Sequence, residues 1–373
     1  MATSTEQQRP EPATAEEETR RLYVTAADAQ AFAEGVLRAN GAPPDHARTV
    51  AECLVAADLR GVDTHGVNRL PSYMARVRAG VLDAAVAPTL TQVTPAAAQV
   101  DGRNTFGAVA GAAAVAAAVD MARVYGIGMV SVKRSNHFGM SAWLVQRALD
   151  AGMMSLVFTN SSPALPRVGR AHQAPRRLAH RSPFILDMAP SVAARGKVYR
   201  AKRRGEKIPL DWALDAEGRR RMIRLPLEGV MLPMGGPKGS ALSIMMDVFS
   251  GVFSGSAFAG HVTNPYDPLR PADVGHFLVA IKPDLFMSLA DFRERMRYLY
   301  DRVVRECEPA AGVDRIYFPG EIEQRTERER RRTGIPYVEA EVRALDAEAR
   351  RVGADPIRVT PMGEGSSEAA AAQ

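Results

Sequence analysis

The segment GIGMVSVKRSNHFG, residues 126–139, gives the clearest indication of the fold class. Its apolar and β-branched centre, MVSVK at 129–133, predicts a buried strand, and the polar loop after it leads into a predicted helix at 141–150. A dinucleotide fingerprint would require G-x-G-x-x-G between a strand and a helix. Because Gly126 and Gly128 precede the strand instead, the segment predicts an α/β domain without the Rossmann fingerprint.

Predicted strands and helices continue on both sides of this segment, with helices concentrated toward the two ends of the chain. Thr25 has the side chain of a helix N-cap, and Asp28 would lie in the first turn. The other strand candidates are 155–159, 184–188 and 276–282, and the other helix candidates include 108–125, 240–253, 288–307 and 336–352. These patterns predict an α/β (α+β) protein with a central α/β domain at 75–287, a helical domain built from both termini at 22–74 and 288–357, and disordered tails at 1–21 and 358–373.

Composition limits the classes of protein that fit this chain. Its 373 residues, of which 46% are hydrophobic, are an ordinary globular balance and suffice for two or three domains. The two cysteines, Cys53 and Cys307, are far apart, which excludes a disulfide framework, a CxxC redox pair and a Cys-rich zinc site. HExxH and EF-hand motifs are absent, so no metal is expected. No apolar run approaches the ~20 residues of a membrane helix and no signal peptide precedes the fold, so we expect a cytoplasmic protein without a membrane partner.

The positive charge is concentrated in one segment. The formal net charge of +6 would suit a nucleic-acid binder, yet residues 166–224 hold 16 Lys+Arg against 5 Asp+Glu, while the rest of the chain holds 32 against 37. A nucleic-acid-binding face would spread its cations through the fold. Since this segment also lacks interleaved aromatic residues, nucleic-acid binding is the rival hypothesis, with steeply salt-dependent binding as its signature.

The segment RGVDTHGVNR, residues 60–69, places a histidine, a hydroxyl and two arginines just after a predicted helix. His65 can give or take a proton near neutral pH, and the Thr64 hydroxyl can bond the same substrate oxygen or the imidazole. Arg69 would share the face of His65 in a helix, and its fork suits a carboxylate. A proton donor beside a carboxylate clamp is what reduction of a 2-oxo acid needs. The structural alternative is a polar helix end with a capping histidine and a solvated arginine.

Two polar loops follow predicted strands, where α/β proteins usually bind ligands. In SNHFG, residues 135–139, His137 is either catalytic or packed on a cofactor, and the backbone N–H groups after it can meet an anion. The alternative is a capping turn whose histidine faces solvent. In TNSSP, residues 159–163, amides and hydroxyls can hold a ribose or a carboxamide, and ordinary turn chemistry explains them equally well.

Three further segments combine turn residues with charged groups. Asp187, in LDMAPS, can orient a histidine, bond a ribose hydroxyl or cap the next turn. Lys238, in LPMGGPKGS, lies beside the start of an amphipathic helix and makes the best candidate anion site, weighed against a plain glycine turn. The Met and Phe stripe of that helix is expected to be core. In RIYFPGE, Arg315 and Glu321 can close over a ligand.

Taken together, in this order and spacing, these segments resemble the type-2 malate/L-lactate dehydrogenase family from about residue 23 to residue 355. The resemblance implies a cofactor, NAD or NADP, used to oxidise a small 2-hydroxy acid or to reduce its 2-oxo or imino counterpart. It also implies a non-Rossmann NAD(P)-binding domain and a homodimer with its active site between domains. The matching stretches are RGVDTHGVNRLPSY (60–73), SNHFG (135–139), TNSSP (159–163), LDMAPSVAARGK (186–197), LPMGGPKG (232–239) and RIYFPGE (315–321).

The resemblance further implies roles for individual residues. His65 matches the proton donor or acceptor, Thr64 the hydroxyl that supports it, and Arg69 the group that holds the substrate carboxylate. In some family members the histidine at the place of His137 is given the proton-transfer role instead. Asp187 matches a cofactor-loop carboxylate that can also orient the catalytic histidine. The residues that match cofactor contacts are His137, Phe138, Gly139, Met140, Ser141, Ser161, Asp187, Met188, Ala189, Lys238, Pro319, Gly320 and Glu321.

Two arginine-rich runs depart from the family pattern. Residues 167–181 stand where a Pro/Gly-rich stretch usually leads to a strand start, and residues 219–224 stand where a polar, acidic segment is common. We interpret both as local reading-frame disturbances, because they lie in a strongly basic segment of an otherwise acidic chain. If the runs are genuine, the alternative is a cofactor-impaired dimeric relative without activity. Re-sequencing of the coding DNA tests this interpretation, and an intact frame across both runs refutes it.

Overall fold

The computed structural model describes residues 20–162, 183–193, 198, 207–214 and 230–360. The strands of these ranges, in chain order, are β1 (Arg21–Val24), β2 (Thr89–Thr94), β3 (Ala97–Asp101), β4 (Ile127–Ser135), β5 (Met154–Thr159), β6 (Ala213–Leu214), β7 (Val230–Met231), β8 (Val274–Ile281) and β9 (Ile335–Val338). The α-helices are α1 (Ala26–Ala39), α2 (Pro44–Leu59), α3 (Leu70–Arg78), α4 (Gly107–Tyr125), α5 (Ser141–Asp150), α6 (Pro237–Asp247), α7 (Leu289–Asp301), α8 (Glu321–Thr333) and α9 (Glu339–Val352).

A five-stranded mixed sheet lies at the centre of the α/β part of the fold. Its order is β2-β3-β4-β8-β5, with β3 and β4 parallel and the other neighbours in this sheet antiparallel. Because β4 and β5 both run antiparallel to β8, their C-terminal ends lie at the same end of the sheet. The two polar loops that follow β4 and β5 therefore emerge side by side, and the predicted α/β fold class is confirmed.

Helix boundaries follow the predicted capping chemistry at several places. The Thr25 hydroxyl accepts the backbone N–H of Asp28 at 3.0 Å, as expected of the N-cap of α1. A proline opens α2, where a missing N–H costs no hydrogen bond. Gly126 ends α4 with φ +81°, a conformation that favours glycine over other residues. These local signals explain why the sequence predicts the helix positions well.

Helix α4 is long and apolar enough to cross a membrane, with 19 residues and a mean hydropathy of 1.5. This corrects the expectation that no apolar run of the chain approaches that length. The helix nevertheless has 61% of its apolar window buried inside the fold, and it packs on β4 and β8. Small residues allow the close approach, since a β-carbon at Gly128 would lie 2.0 Å from the carbonyl oxygen of Ala118. In this structure α4 is the core helix of the sheet.

Elements from the two ends of the chain pack together. Strand β9 pairs with β1, and α9 contacts α1 and α3. One hydrophobic core that extends from Val24 to Ile357 continues from these helices into the sheet. Helix α2 contacts α1 on one side and α4 and α5 on the other. The helical and α/β parts thus share a core, while the boundaries assigned at 74/75 and 287/288 stay predictions.

Two predicted elements take a different form in the structure. The segment FILDM, predicted as a strand, belongs to none of the sheets, and Ile185 donates its N–H to the carbonyl of Pro319 at 3.1 Å instead. The predicted helix at 336–352 begins only at Glu339, because Ile335–Val338 forms β9 against β1. In both places the form of the segment depends on a pairing partner that its own sequence does not show: FILDM has no partner among the described strands and leaves Phe184 and Leu186 exposed, whereas Ile335–Val338 pairs with β1.

The Met and Phe stripe of α6 is not core, contrary to expectation. Met245 is 39% exposed and Phe253 is 59% exposed, because α6 and the π-helical turn after it pack on β5 and β8 with one face only. The arginine-rich runs at 167–181 and 219–224 lie outside the described residues, as do the predicted tails except for residues 20–21 and 358–360.

The contact between β4 and α4 gives a test of this packing. Gly128→Ala puts a β-carbon against the Ala118 carbonyl, so the variant should lose about 1–3 kcal/mol in its free energy of unfolding. The matched control is Gly35→Ala in α1, where no atom lies within 4 Å, and which should gain about 0.5–1 kcal/mol because alanine favours the helix. Urea unfolding followed by circular dichroism measures both. Equal stabilities of the two variants would contradict the packing.

Candidate active site

An open cleft of about 2390 Å³ lies between the end of the sheet and the helices of the chain termini. It gathers predicted site residues from five separate segments of the chain. Fourteen of the sixteen predicted residues line it, and the two exceptions are Lys238 and Glu321. The fourteen are Thr64, His65, Arg69, His137, Phe138, Gly139, Met140, Ser141, Ser161, Asp187, Met188, Ala189, Pro319 and Gly320.

Thr64, His65 and Arg69 lie on two consecutive 3₁₀ turns between α2 and α3. The Thr64 hydroxyl is 2.9 Å from Nδ1 of His65, within hydrogen-bond distance. Arg69 donates through Nε to the Thr64 carbonyl at 2.6 Å and through Nη1 to the Tyr266 hydroxyl at 2.9 Å. Within the described part of the chain, no residue accepts a hydrogen bond from its Nη2. The three residues therefore form one unit in which the guanidinium keeps a donor for a ligand.

The loop after β4 places His137 against His65. The two imidazole rings are 5.2 Å apart between centroids, and their planes differ by 25°. Nδ1 of His137 accepts the N–H of Gly139 at 3.2 Å and lies 2.6 Å from the Tyr73 hydroxyl. Since Nδ1 is an acceptor, the neutral ring carries its proton on Nε2. These contacts fix the orientation of the second imidazole in the cleft.

Cys53 of α2 supports the turn that carries His137. Its thiol donates to the Phe138 carbonyl at 3.2 Å, and burial raises the pKa of the thiol to about 12, so the donor proton is retained. A β-carbon at Gly139 would lie 2.5 Å from the Cys53 sulfur, and Gly139 also has φ +79°. Both the space and the backbone conformation therefore require glycine at this position.

Burial holds both imidazoles in the neutral form at neutral pH. Desolvation, with a smaller effect of the Arg69 charge, lowers the pKa of His65 to about 4. Desolvation also lowers the pKa of His137 well below its usual value, and the charges of Arg69 and His65 act in the same direction. A neutral imidazole beside a guanidinium can accept a proton from a ligand whose anionic group binds the guanidinium.

Asp187 lines the cleft at the start of α5. Its carboxylate accepts the N–H of Ala142 at 2.8 Å, so it caps helix α5, 45 residues away in the chain, and not the next turn of its own segment, which was the alternative weighed from the sequence. Desolvation by the cleft walls raises the pKa of this carboxyl, partly offset by that hydrogen bond and by the charge of Arg60. Its hydrogen bond goes to a helix end and not to an imidazole, so the orienting role has no contact to support it here.

The two predicted residues outside the cleft have different surroundings. Lys238 is exposed in the first turn of α6 and does not line the cleft. Glu321 is buried, and its carboxylate accepts the Tyr300 hydroxyl at 2.7 Å and the Phe318 N–H at 3.0 Å. Arg315 approaches the same carboxylate at 3.8 Å. The prediction that Glu321 closes over a ligand is therefore corrected: it holds the 318–321 turn from inside.

The cleft has the surfaces that a dinucleotide requires. Phe184, Leu186 and Met188 expose apolar side chains along one wall, which suits planar rings. Arg60 lines the same cleft and is buried, and its Nε has no hydrogen-bond partner in the described part of the chain. Its Nη1 is already paired with Glu327 at 3.3 Å, so Nε is the donor of Arg60 that is left for an anionic group. Among the described residues, no three or more His, Cys, Asp or Glu side chains are grouped to hold a metal ion.

Two tyrosines of the site escaped the sequence analysis. Tyr73 lies within the quoted RGVDTHGVNRLPSY stretch, and its position eight residues after His65, in the first turn of α3, was the available signal. Tyr266 lies 197 residues from Arg69, and its ring is 5.1 Å from the guanidinium. The segment that carries it is held by Arg76, which donates to the carbonyl of Arg270 at 3.0 Å. No local pattern marks such a contact, so only the fold reveals it.

The mixed α/β fold brings a histidine pair and an arginine together at a cleft that suits a dinucleotide. These features are typical of a cofactor-dependent enzyme, here of a class whose sequence lacks the Rossmann fingerprint. The chain belongs to the malate/L-lactate dehydrogenase family, whose model matches residues 24–346. This match confirms the resemblance drawn from the six motifs.

Curated relatives and solved structures extend this finding. The chain is 34% identical to a malate dehydrogenase of Pyrococcus abyssi, over 88% of this chain and 94% of the relative. It is 32% identical to an NAD(+) ureidoglycolate dehydrogenase of Escherichia coli K12 (80% and 88% covered) and 32% identical to an NADP(+) (2R)-3-sulfolactate dehydrogenase of Chromohalobacter salexigens (75% and 86% covered). The structure of the sulfolactate dehydrogenase from Methanocaldococcus jannaschii superposes with a TM-score of 0.81 at 29% identity, covering 90% of this chain and 98% of that one.

The low pKa of His65 can be measured directly. We expect the His65 ring signals in an NMR titration to stay those of a neutral imidazole from pH 8 down to about pH 5, because the pKa lies near 4. Since the unfolded chain binds this proton near pH 6.5, the contribution of His65 to stability should fall as the pH drops from about 6.5 toward 4. Spectra of His65→Gln assign the signal. A midpoint near pH 6.5 for that signal would contradict the burial assigned to this ring.

Proposed function

We propose that this protein is an NAD(P)-dependent oxidoreductase that interconverts a small 2-hydroxy acid and its 2-oxo counterpart. The observation that carries the proposal is that a neutral imidazole, His65, and a guanidinium with an open donor, Arg69, are joined through Thr64 at one cleft. Malate, ureidoglycolate and 3-sulfolactate, the compounds named for the relatives, are all small 2-hydroxy acids.

The geometry supports a division of labour between these side chains. When Nδ1 of His65 donates its proton to the Thr64 hydroxyl, Nε2 is left with the lone pair that accepts the proton of the substrate C2 hydroxyl. Arg69 binds the substrate carboxylate through the donor that no described residue uses, which orients C2 in the cleft. The negative carboxylate also offsets the Arg69 charge, so substrate binding raises the proton affinity of His65.

The cofactor would lie along the apolar wall of the cleft, with an anionic group near Arg60. Residues of this chain that would hold it are Phe184, Leu186 and Met188 on the wall and Ser141 at the start of α5. When bound, the nicotinamide supplies the hydride chemistry that oxidises or reduces C2. The relatives include both NAD(+) and NADP(+) enzymes, so the proposal is made for NAD or NADP.

We also propose that the protein acts as a homodimer. An apolar surface runs along α6 and the turn after it, where Ile244, Val252 and Phe253 are each more than half exposed. Leu156 on the edge strand β5 is 50% exposed, and it lies on the face of β5 that also carries Phe158, whose ring packs on Phe249 of the turn after α6. Exposed apolar surface of this extent commonly marks a protein interface. Light scattering should give the mass of two chains, and a strictly monomeric protein would refute this part of the proposal.

Substitution of the imidazole tests the proposed chemistry. With NADH or NADPH and a panel of 2-oxo acids, absorbance at 340 nm should show that His65→Ala loses about 10²–10⁴-fold in turnover, because the general acid/base is gone. The variant should still bind the dinucleotide. Arg69→Ala should chiefly raise the Michaelis constant for the 2-oxo acid, because the carboxylate loses its partner.

His46→Ala is the matched control, since His46 contacts the Ala84 carbonyl and does not line the cleft. It should keep the activity of the parent protein. Full activity of His65→Ala would overturn the assignment. If His137→Ala alone loses turnover, the general acid/base role belongs to His137 instead. A parent protein that reduces no 2-oxo acid with either dinucleotide would contradict the proposed function.

A further inference from the structure

Asp58 is a buried carboxylate directly beneath the loop that carries His65 and Arg69. It lies in the last turn of α2 and is 1% exposed. Its Oδ2 accepts the backbone N–H of Val67 at 2.8 Å and the hydroxyl of Tyr337 at 2.6 Å. Its Oδ1 is buried and has no hydrogen-bond partner in the described part of the structure. A carboxylate in this position is costly to bury, which calls for an explanation.

Gly66 shows how tightly the loop is seated on this carboxylate. A β-carbon at Gly66 would lie 1.7 Å from Asp58 Oδ1 and 2.1 Å from its carboxyl carbon. The backbone of Gly66 has φ −86°, a value open to every residue, so close approach and not conformation requires glycine here. Residues 66 and 67, two of the three residues between His65 and Arg69, therefore rest on the Asp58 carboxylate.

The other partner of the carboxylate comes from the far end of the chain. Tyr337 is buried on β9, which is anchored by its pairing with β1. Arg330 of α8 donates to the Asp58 carbonyl and to the Asp63 carboxylate. The segment from the end of α2 into the loop of residues 60–69 is thus held by Tyr337 of β9 and by Arg330 of α8.

The negative charge of Asp58 destabilises the folded state. Burial raises the pKa of its carboxyl to about 7, and the nearby Asp63 adds to the shift, while Tyr337, Val67 and Arg330 oppose it. Because the folded pKa lies above the unfolded value, this group lowers stability increasingly as the pH rises from about 4 to 7. Stability therefore does not explain why a carboxylate stands here, whereas the two hydrogen bonds that its Oδ2 accepts, from Val67 and from Tyr337, do.

We propose that Asp58 is a positioning residue for the reaction, which sets the placement of His65 relative to Arg69 through Val67 and Gly66 and is itself oriented by Tyr337. The inference rests on the proposed roles of His65 and Arg69. Asp58 lies at the wall of the cleft, but its carboxylate is buried and its hydrogen bonds go to the Val67 backbone and to Tyr337, so it acts through the loop. Its effect is on the geometry of the two groups that contact the substrate.

The test compares Asp58→Ala, Asp58→Asn and Tyr337→Phe. The readouts are kcat and KM for the 2-oxo acid, the dissociation constant of the reduced dinucleotide by fluorescence, and the melting temperature. Asp58→Ala should lose up to about 10²-fold in kcat/KM, since misplacement by about 1 Å can cost that much, with unchanged dinucleotide binding. Asp58→Asn retains an acceptor oxygen and should recover most of that loss. Tyr337→Phe removes only a hydroxyl and should show a smaller loss of the same kind.

Glu348→Gln is the matched control. Glu348 is a buried carboxylate of the same helical part, paired with Arg78 and remote from the catalytic loop. It should lower the melting temperature without a change in kcat or KM. If Asp58→Ala fails to fold, Tyr337→Phe carries the test alone.

Three results would overturn the inference. One is a kcat/KM of Asp58→Ala and Tyr337→Phe equal to that of Glu348→Gln. Another is an Asp58→Asn variant as impaired as Asp58→Ala. The third is full activity of His65→Ala, which removes the proposed site assignment as well, whereas an inactive His65→Ala together with unimpaired Asp58 variants contradicts this inference alone.

Discussion

Helix α2 supports both halves of the histidine pair, and the rest of the site depends on that support. Cys53 lies beneath Gly139 and Asp58 beneath Gly66, and in each place a single added β-carbon would collide with the α2 side chain. These two side chains are five residues apart on one helix. The turns that carry the two imidazoles are thereby held at a fixed separation, although His65 and His137 are 72 positions apart in the chain.

The electrostatics of the cleft follow from this burial. Both rings are desolvated by the packing that holds them, and the Arg69 guanidinium further disfavours their protonation. Without substrate, the positive charge of Arg69 lowers the proton affinity of the His65 imidazole. An anionic substrate offsets that charge. Its carboxylate meets the guanidinium, and its hydroxyl proton meets a base whose affinity for protons has increased. Substrate recognition and proton transfer are therefore coupled through one charge.

The sequence predicts much of this architecture, and its failures have a common cause. Capping residues and periodicity place α1, α4 and α5 correctly, and the motif spacing gathers fourteen site residues in one cleft. Errors occur where the partner of a segment decides its form: FILDM is apolar but pairs with no strand, and Glu321 is charged but buried. The support by Asp58 joins groups up to 279 residues apart, and local patterns carry no trace of such contacts.

The most direct test of the account is a crystal structure of the protein with a dinucleotide and oxamate, an unreactive isostere of a 2-oxo acid. The proposed roles predict that the oxamate carboxylate is bound by Arg69 and that its carbonyl oxygen accepts a hydrogen bond from the protonated Nε2 of His65. Oxamate bound elsewhere in the cleft, with its carboxylate held by another cation or its carbonyl oxygen remote from His65, would contradict them.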